Sequence, residues 1–491
     1  MHRVNHQNPT IIPRAEHNIS RRWISPNALR VLYRLKERGY YAYLVGGGVR
    51  DLLLGREPKD FDIVTDARPG EMKKLFRNCR LIGRRFRLAH IHFHNDIIEV
   101  ATFRSNSTEE PENKVTTPQR HVLARRPKPQ ESEAATAVGQ DCSVLVADSA
   151  EAPIRPRPPR MLKTEDGIIL RDNVFGTPEE DALRRDFTVN ALFYNIADFS
   201  VIDYVNGMHD LRKGLIRIIG NPLERFTEDP VRMVRAVRFA AALGFEIEIN
   251  TYQAILDLKD KIALASPARM YEEVLKLFLL GEGEKTYQLL RQTGLFGAIF
   301  PKLSEWVDME SGAYPHVWIG KALDWIDHNV QAERKVMPHM LFALLFGEYI
   351  EEKVKRQRRS GSPALESVTR AVAETIAEQA QRVIIPKKIG FAIRDIYWDQ
   401  YRFEKREGKH PRYFLLRPGF EDAYEYLRFY SNATEEKKGL YLWWTDFIKN
   451  SPQRLEEKHI GVKGRKQFGK ISHKKRKKKP TSNRDEQKRK S

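Results

Sequence analysis

Three consecutive glycines, Gly46-Gly47-Gly48, stand where a short apolar run gives way to a segment of helical spacing. Tyr41 to Val45 reads as a strand and Val49 to Leu54 as a helix. Glycine at such a junction lets the backbone turn sharply and come close to a bound group, because no Cβ intervenes. A second strand is expected from Phe61 to Thr65, with Asp60 and Asp62 flanking Phe61. Side chains alternate along a strand, so the two carboxylates should share a face while Phe61 turns to the core. Carboxylates that close repel unless a cation lies between them. Mg²⁺ suits the place, since it takes one or two carboxylates plus substrate phosphate oxygens. Arg50, in the first turn of the helix, is placed to reach a phosphate. Taken singly, the glycines also fit an ordinary turn, and the aspartates two solvated acids at a strand mouth. The segment is neither a P-loop nor a dinucleotide fingerprint. A phosphate cradle followed by paired carboxylates describes nucleotidyl transfer better than hydrolysis.

Around this nucleus the chain divides by composition. Residues 1–24 carry no clear period and are expected to be a mobile lead-in. Ser25-Pro26 reads as a helix cap followed by proline at the first helical position. Strand and helix then alternate, ending in a hairpin of 86–94 and 97–103 joined at Asn95-Asp96. Residues 105–165 hold 8 of the 26 prolines and no Phe, Tyr or Trp, which marks an insertion without a packed core. Thr177-Pro178-Glu179-Glu180 is a capping box, and Leu183, Phe187 and Ala191 mark the buried face of the helix it opens. Strands at 201–205 and 215–219 are expected about an Asn206-Gly207 turn. From Asp229 onward the pattern is helical, with a basic loop at 355–363. The expected fold class is α+β: a mixed sheet with helices at 25–219, then all-helical segments at 220–285 and 286–455, and a disordered basic tail at 456–491.

The net charge of +20 favours a polyanionic partner, and its distribution is uneven. Residues 461–491 hold 14 of the 85 basic residues against two acidic ones, so they carry +12 of the total. That block reads either as an arm binding phosphates through counterion release or as a solubilising terminus; the density of charge favours the arm. Cys79 and Cys142 are the only cysteines, which excludes a disulfide scaffold and suits a reducing cytoplasm. No apolar run approaches a membrane span, and the first ten residues lack the apolar stretch of a secretory signal.

The motifs LVGGGVRDLLLG, KDFDI, IIEVATFR (97–104), RRDFTVNAL (184–192), VIDYVNGMHDL (201–211) and EDPVRMVRAVRFAAALGF (228–245) together resemble the class II polymerase-beta-like nucleotidyltransferases, which hold bacterial poly(A) polymerases and tRNA CCA-adding enzymes. The resemblance implies an N-terminal nucleotidyltransferase head, a helical neck that binds nucleotide and RNA, and an RNA-binding helical body. It implies ATP and RNA 3′ ends as substrates, Mg²⁺ as cofactor and RNA-decay proteins as partners. By the same resemblance Asp60 and Asp62 hold metal, and a third carboxylate is Asp186 in RRDFT, with Glu99 in IIEVATF a close second. LIGRRFRLAH (81–90) resembles the poly(A) polymerase branch, and the basic tail suits a sequence-tolerant RNA. The expected activity is therefore addition of AMP to RNA 3′ ends, with CCA addition and a non-catalytic RNA-binding module as alternatives.

Asp229 and Arg232 lie three apart in a helix expected to start at Asp229-Pro230. A carboxylate accepts from an exocyclic amine and a guanidinium donates to the adjacent ring nitrogen, which suits adenine and cytosine equally. Arg235 and Arg238 extend the stripe and, with Arg185, are candidates for phosphate; a solvated basic face is the competing reading. His90, His92 and His94 share one strand face but span too far along it for a compact zinc site.

Overall fold

The computed structural model describes residues 8–83, 88–94, 96–105, 161–163, 169–172, 175–309 and 316–451. These divide into two compact units: residues 1–265 with 289–298, and residues 266–288 with 299–491. The segment expected as a neck, 220–285, thus contributes to both.

The first unit is built on an eight-stranded mixed sheet. Its strands are β1 (Thr10–Ile12), β2 (Ala42–Val45), β3 (Asp62–Thr65), β4 (Cys79–Ile82), β5 (Leu88–His92), β6 (Ile97–Thr102), then β9 (Leu192–Asn195) and β10 (Val201–Asp203), in the order β1-β10-β9-β2-β3-β6-β5-β4. Between them in sequence, β7 (Met161–Lys163) and β8 (Ile169–Asp172) form a separate antiparallel pair. β2 runs antiparallel to both β3 and β9, whereas β3 and β6 are parallel. The two-residue strands β11 (Leu215–Ile216) and β12 (Glu246–Ile247) pair in parallel.

Helices follow the cap signals. α1 (Pro26–Glu37) begins at Ser25, whose side chain accepts from the Asn27 amide, with Pro26 at the first position. α2 (Gly47–Leu53) starts two residues before the expected Val49, because Gly46 adopts φ 75° and serves as the N-cap. α3 (Pro69–Leu75) follows β3. α4 (Pro178–Leu183) carries the complete Thr177–Glu180 capping box. It ends at Leu183; Phe187 and Ala191 are buried beyond it, on the way through a short 3-10 turn (Thr188–Asn190) into the central strand β9. α5 (Gly207–Lys213) replaces the expected hairpin turn: Asn206 is left-handed at φ 61° and opens a helix there. α6 (Pro222–Glu228), α7 (Val231–Leu243) and α8 (Ile249–Leu258) follow, and residues 289–298 return to the unit.

One face of the sheet packs Tyr43, Val45, Val64, Phe103, Phe193 and Ile202 with Ala182, Ala191 and Ile219 into a single cluster. Fully burying a side chain such as Phe193 contributes roughly 1.5–3 kcal/mol. Two expectations are corrected here. Residues 10–12, inside the supposed lead-in, form an edge strand on β10. β4 and β9 were not foreseen. The 105–165 segment is closed at its base, where Arg104 bridges Phe175 and the Gly176 amide donates to the Phe103 carbonyl at 3.0 Å. Its interior, 106–160 and 164–168, lies outside the described residues, as does the basic tail.

The second unit is all helical among the described residues, including Pro267–Phe278, Pro338–Leu345, Gly347–Arg359, Ala364–Gln379, Lys387–Phe403, Phe420–Thr434 and Lys438–Lys449. The expected basic loop at 355–363 is largely helix, and only its end turns at Gly361 with φ 90°. Phe403, Phe414, Phe420, Leu427 and Trp444 form a core, in which Trp444 Nε1 donates to the Phe403 carbonyl at 2.8 Å. Among the described residues no helix is long and apolar enough to cross a membrane.

Candidate active site

The glycine turn and the carboxylates meet at the mouth of β2 and β3. A Cβ added at Gly46 would lie 3.6 Å from Arg185 Nη1 and 3.8 Å from Asp62 Oδ2. A Cβ at Gly48 would lie 3.1 Å from the Asp60 carbonyl oxygen, so this glycine lets the Asp60–Phe61 backbone rest on α2. Gly47 continues the helix, with its own added Cβ 3.5 Å from Arg50 Nη2. β3 begins at Asp62, so strand alternation does not position Asp60 as the sequence suggested. Both carboxylates nevertheless reach solvent, and Asp60 acts on Asp62.

Asp62 opens onto solvent yet is crowded by protein on its other sides. Its carboxyl is pushed up to about 6, first by desolvation, then by repulsion from Glu99, with Asp60 adding a smaller push; Arg185 opposes them. The sheet explains Glu99. β3 and β6 are in register at Ile63–Val100, which sets Glu99 beside Asp62 on the same face. On the far side of Glu99 stands His90, whose Nε2 lies 3.2 Å from Glu99 Oε1. Of the three histidines, His90 is thus a carboxylate partner. No cluster of three or more metal-ligating side chains exists among the described residues.

Asp186 is engaged elsewhere. Its Oδ2 receives Arg235 Nε at 2.9 Å and also Arg235 Nη2, while Oδ1 accepts from the Phe187 amide at 2.8 Å and Asn190 Nδ2 at 3.3 Å. Burial alone would raise this carboxyl; the Arg235 guanidinium and these hydrogen bonds hold it well below the usual carboxylate range. The two arginines adjacent in sequence, Arg184 and Arg185, share Asp181 instead. Asp181 is fully buried, and Arg185 and Arg184 together override its burial and hold it ionised.

Arg50 is buried and already hydrogen-bonded. Nε donates to Asp51 Oδ1 at 2.8 Å and Nη1 to Asn190 Oδ1 at 2.7 Å. Asn190 therefore links Arg50 to Asp186, and Asp186 links onward to Arg235 on α7. This chain went unread in the sequence; Asn190 in RRDFTVNAL was its one visible signal. Arg225 was also missed: its Nη2 donates to the Arg184 and Arg185 carbonyls, both at 2.7 Å, tying α6 to the same segment. Burial, then the charge on Arg232, pulls its guanidinium down to about 10.

The helix expected to start at Asp229-Pro230 starts at Val231, and a separate helix, α6, precedes it. Asp229 is the extended joint between α6 and α7, with Pro230 at the N-cap of α7. Arg232 Nη1 donates to the Arg225 carbonyl at 3.0 Å and lies 3.5 Å from Glu228 Oε2, one residue before the expected partner. Arg238 lies over the Phe239 ring at 4.3 Å.

A mixed sheet that sets neighbouring carboxylates beside a glycine turn is the head of a nucleotidyltransferase. Residues 42–217 match the family described as "Poly A polymerase head domain". Residues 244–307 match "Probable RNA and SrmB- binding site of polymerase A", and 360–484 match "Polymerase A arginine-rich C-terminus". The protein named Poly(A) polymerase I from Salmonella typhi is 42% identical over 447 residues, covering 90% of this chain and 86% of that protein. The chain belongs to the poly(A) polymerase I family. A CCA-adding enzyme from Lactobacillus johnsonii is 33% identical over 268 residues, 55% of this chain and 54% of that enzyme. A crystal structure of a tRNA nucleotidyltransferase complexed with a primer tRNA and an incoming ATP analog shares the fold, with a TM-score of 0.51, 20% identity, and coverage of 85% of this chain and 98% of that one.

Proposed function

We infer that the chain is a template-independent polynucleotide adenylyltransferase that adds AMP from ATP to RNA 3′ ends and releases pyrophosphate. The observation that carries the reading is similarity to Poly(A) polymerase I along 90% of the chain, against 55% for the CCA-adding relative. The site chemistry agrees. Asp62 is a carboxyl raised first by burial and then by Glu99, and a cation bound beside it would favour its charged form.

The metal fit rests on Asp60, Asp62 and Glu99. The described residues offer too few ligands for an all-protein cage, and Mg²⁺ prefers one or two carboxylates with water and substrate phosphate completing its shell. Bound there, Mg²⁺ would neutralise charge on the transferring phosphoryl group and activate the attacking hydroxyl. Glu99 is the third carboxylate favoured by geometry, since it is the acid that acts most on Asp62. Asp186 serves the same site by orienting Arg235.

The remaining roles follow from position. Gly46 leaves open the space between Asp62 and Arg185 where a triphosphate approaches, with Gly47 and Gly48 keeping the turn close. Arg185, Arg235 and Arg238 carry the positive charge for phosphates, and Arg50 holds the network behind them. Asp229 and Arg232, at the α6–α7 joint, read the Watson–Crick edge of adenine. The helical segments and the basic tail hold RNA, RNA-decay proteins are the partner class, and the cytoplasm is the compartment.

The test is incubation of the purified protein with Mg²⁺, all four nucleoside triphosphates, and either a generic RNA or tRNA lacking its last three bases. A long product of A alone on both RNAs is expected. Ordered addition of C, C and A confined to the tRNA would overturn the reading in favour of a CCA-adding enzyme.

A further inference from the structure

Three guanidiniums converge on one aromatic ring in the head. The carbon centres of Arg50, Arg235 and Arg238 lie 5.2, 5.3 and 4.3 Å from the centroid of Phe239. Arg50 comes from α2, behind the glycine turn, whereas the other two come from α7. Like charges gathered so closely repel, and Asp51 and Asp186 relieve two of them, pairing with Arg50 and Arg235. The face of a phenyl ring carries partial negative charge and attracts each guanidinium, by about 0.5–1 kcal/mol when exposed and more when desolvated. The ring is fixed from behind: Phe187, fully buried, meets it edge-on at 5.7 Å and 76°. Phe187 adjoins Asp186, so the groups that hold Arg235 by its charge and by its face belong to one packed unit.

We propose that Phe239 is a positioning residue whose ring, backed by the buried Arg50, spaces and orients Arg235 and Arg238 so that they present a preformed cationic surface to the polyphosphate of the incoming nucleotide. This rests on the adenylyltransferase reading above. A guanidinium on an aliphatic replacement loses the electrostatic attraction of the ring and gains rotamer freedom, which the ligand must remove on binding. The effect should therefore fall on polyphosphate recognition and leave recognition of the adenine and of RNA largely alone.

The experiment compares wild type with Phe239→Leu, Phe239→Met and Phe239→Tyr, with folding checked by thermal melting. Steady-state kinetics are run in ATP and in RNA separately. Tripolyphosphate and AMP serve as competitive inhibitors against ATP. In Phe239→Leu and Phe239→Met we expect KM for ATP and Ki for tripolyphosphate to rise about tenfold. Ki for AMP and KM for RNA should move less than threefold, and Phe239→Tyr should restore the wild-type values. Two apolar replacements are included so that a folding failure of one leaves the other to decide. A folded aliphatic variant with unchanged KM for ATP would refute the proposal, as would equal rises for AMP and tripolyphosphate or failure of Tyr to rescue. If wild type forms no A product on any RNA, it is the adenylyltransferase reading that falls; tripolyphosphate affinity, measured by calorimetry, then decides the role of Phe239 by itself.

Discussion

Arg50 Nη1 donates to Asn190 Oδ1 across 2.7 Å in the interior of the head, tying the helix behind the glycine turn to the segment that carries Asp186. Asn190 uses both ends of its amide, since Nδ2 reaches Asp186 at 3.3 Å. Asn190→Ala removes an acceptor from a buried guanidinium and a donor from a buried carboxylate. It should cost about 1–3 kcal/mol in urea unfolding. The same variant should lose more in kcat/KM for ATP than for RNA. A variant as stable and as active as wild type would show that the link is incidental.

The carboxylate pair makes the sharpest kinetic prediction. Asp60→Asn and Asp62→Asn keep the shape of each side chain and remove its charge. Turnover should fall at least about 10³-fold in each, because phosphoryl-charge neutralisation contributes several kcal/mol to the transition state. RNA affinity, read by filter binding, should stay within a factor of about three, since phosphate contacts of the backbone are made by basic side chains. Glu99→Gln should fall between these variants and wild type. Residual activity above a tenth of wild type in Asp62→Asn rules out a metal held there.

Gly48→Ala separates stability from activity. Alanine is the better helix former by up to about 1 kcal/mol, which offsets part of the steric cost, so the melting temperature should change by no more than a few degrees. The added Cβ, however, would sit 3.1 Å from the Asp60 carbonyl oxygen, and the backbone bearing Asp60 must give way. We expect kcat to drop about tenfold, in line with the sensitivity of phosphoryl transfer to small displacements. Unaltered kcat would mean that Asp60 tolerates the shift.

A pH prediction concerns the helical unit. Asp399 is buried, and desolvation pushes its carboxyl up to about 6 even though Arg417 and Arg402 lie at 3.6 and 3.2 Å. The Arg402 contact is within ion-pair distance but lacks hydrogen-bond alignment, which explains why it compensates poorly. A carboxyl raised above its unfolded value of 3.8 favours folding when protonated, and that contribution is lost as pH climbs from about 4 through about 6. Asp399→Asn should accordingly match wild type near pH 4 and gain on it by about 1–3 kcal/mol at pH 7.5. A stability difference that does not change with pH would place the titration elsewhere.

What the sequence disclosed was mostly local chemistry. The Ser25-Pro26 start and the Thr177–Glu180 box are self-contained within a turn, and both stand as read. The Asn206-Gly207 pair misled because its left-handed residue opens a helix as readily as a hairpin; β10 is already paired on both sides, by β9 and by the distant β1, and leaves no edge for a hairpin partner. β9 escaped notice since Leu183, Phe187 and Ala191 have helical spacing; Phe187 and Ala191 are indeed buried and Leu183 partly so, though not on one helix. At the site, the spacing of Asp60 and Asp62 suggested a shared strand face, but β3 begins only at Asp62. The surroundings of Glu99 and Asp186 were not legible, because they depend on β3 lying parallel to β6 and on Arg235 reaching across 49 positions of sequence.

The Arg104–Phe175 bridge has an evolutionary corollary. It brings together two points 71 positions apart, directly beyond the strand that bears Glu99. Each doubling of the chain between them adds only about 0.6 kcal/mol of closure entropy. A lineage could therefore lengthen or shorten that stretch at small energetic cost, so long as the two stem residues still meet.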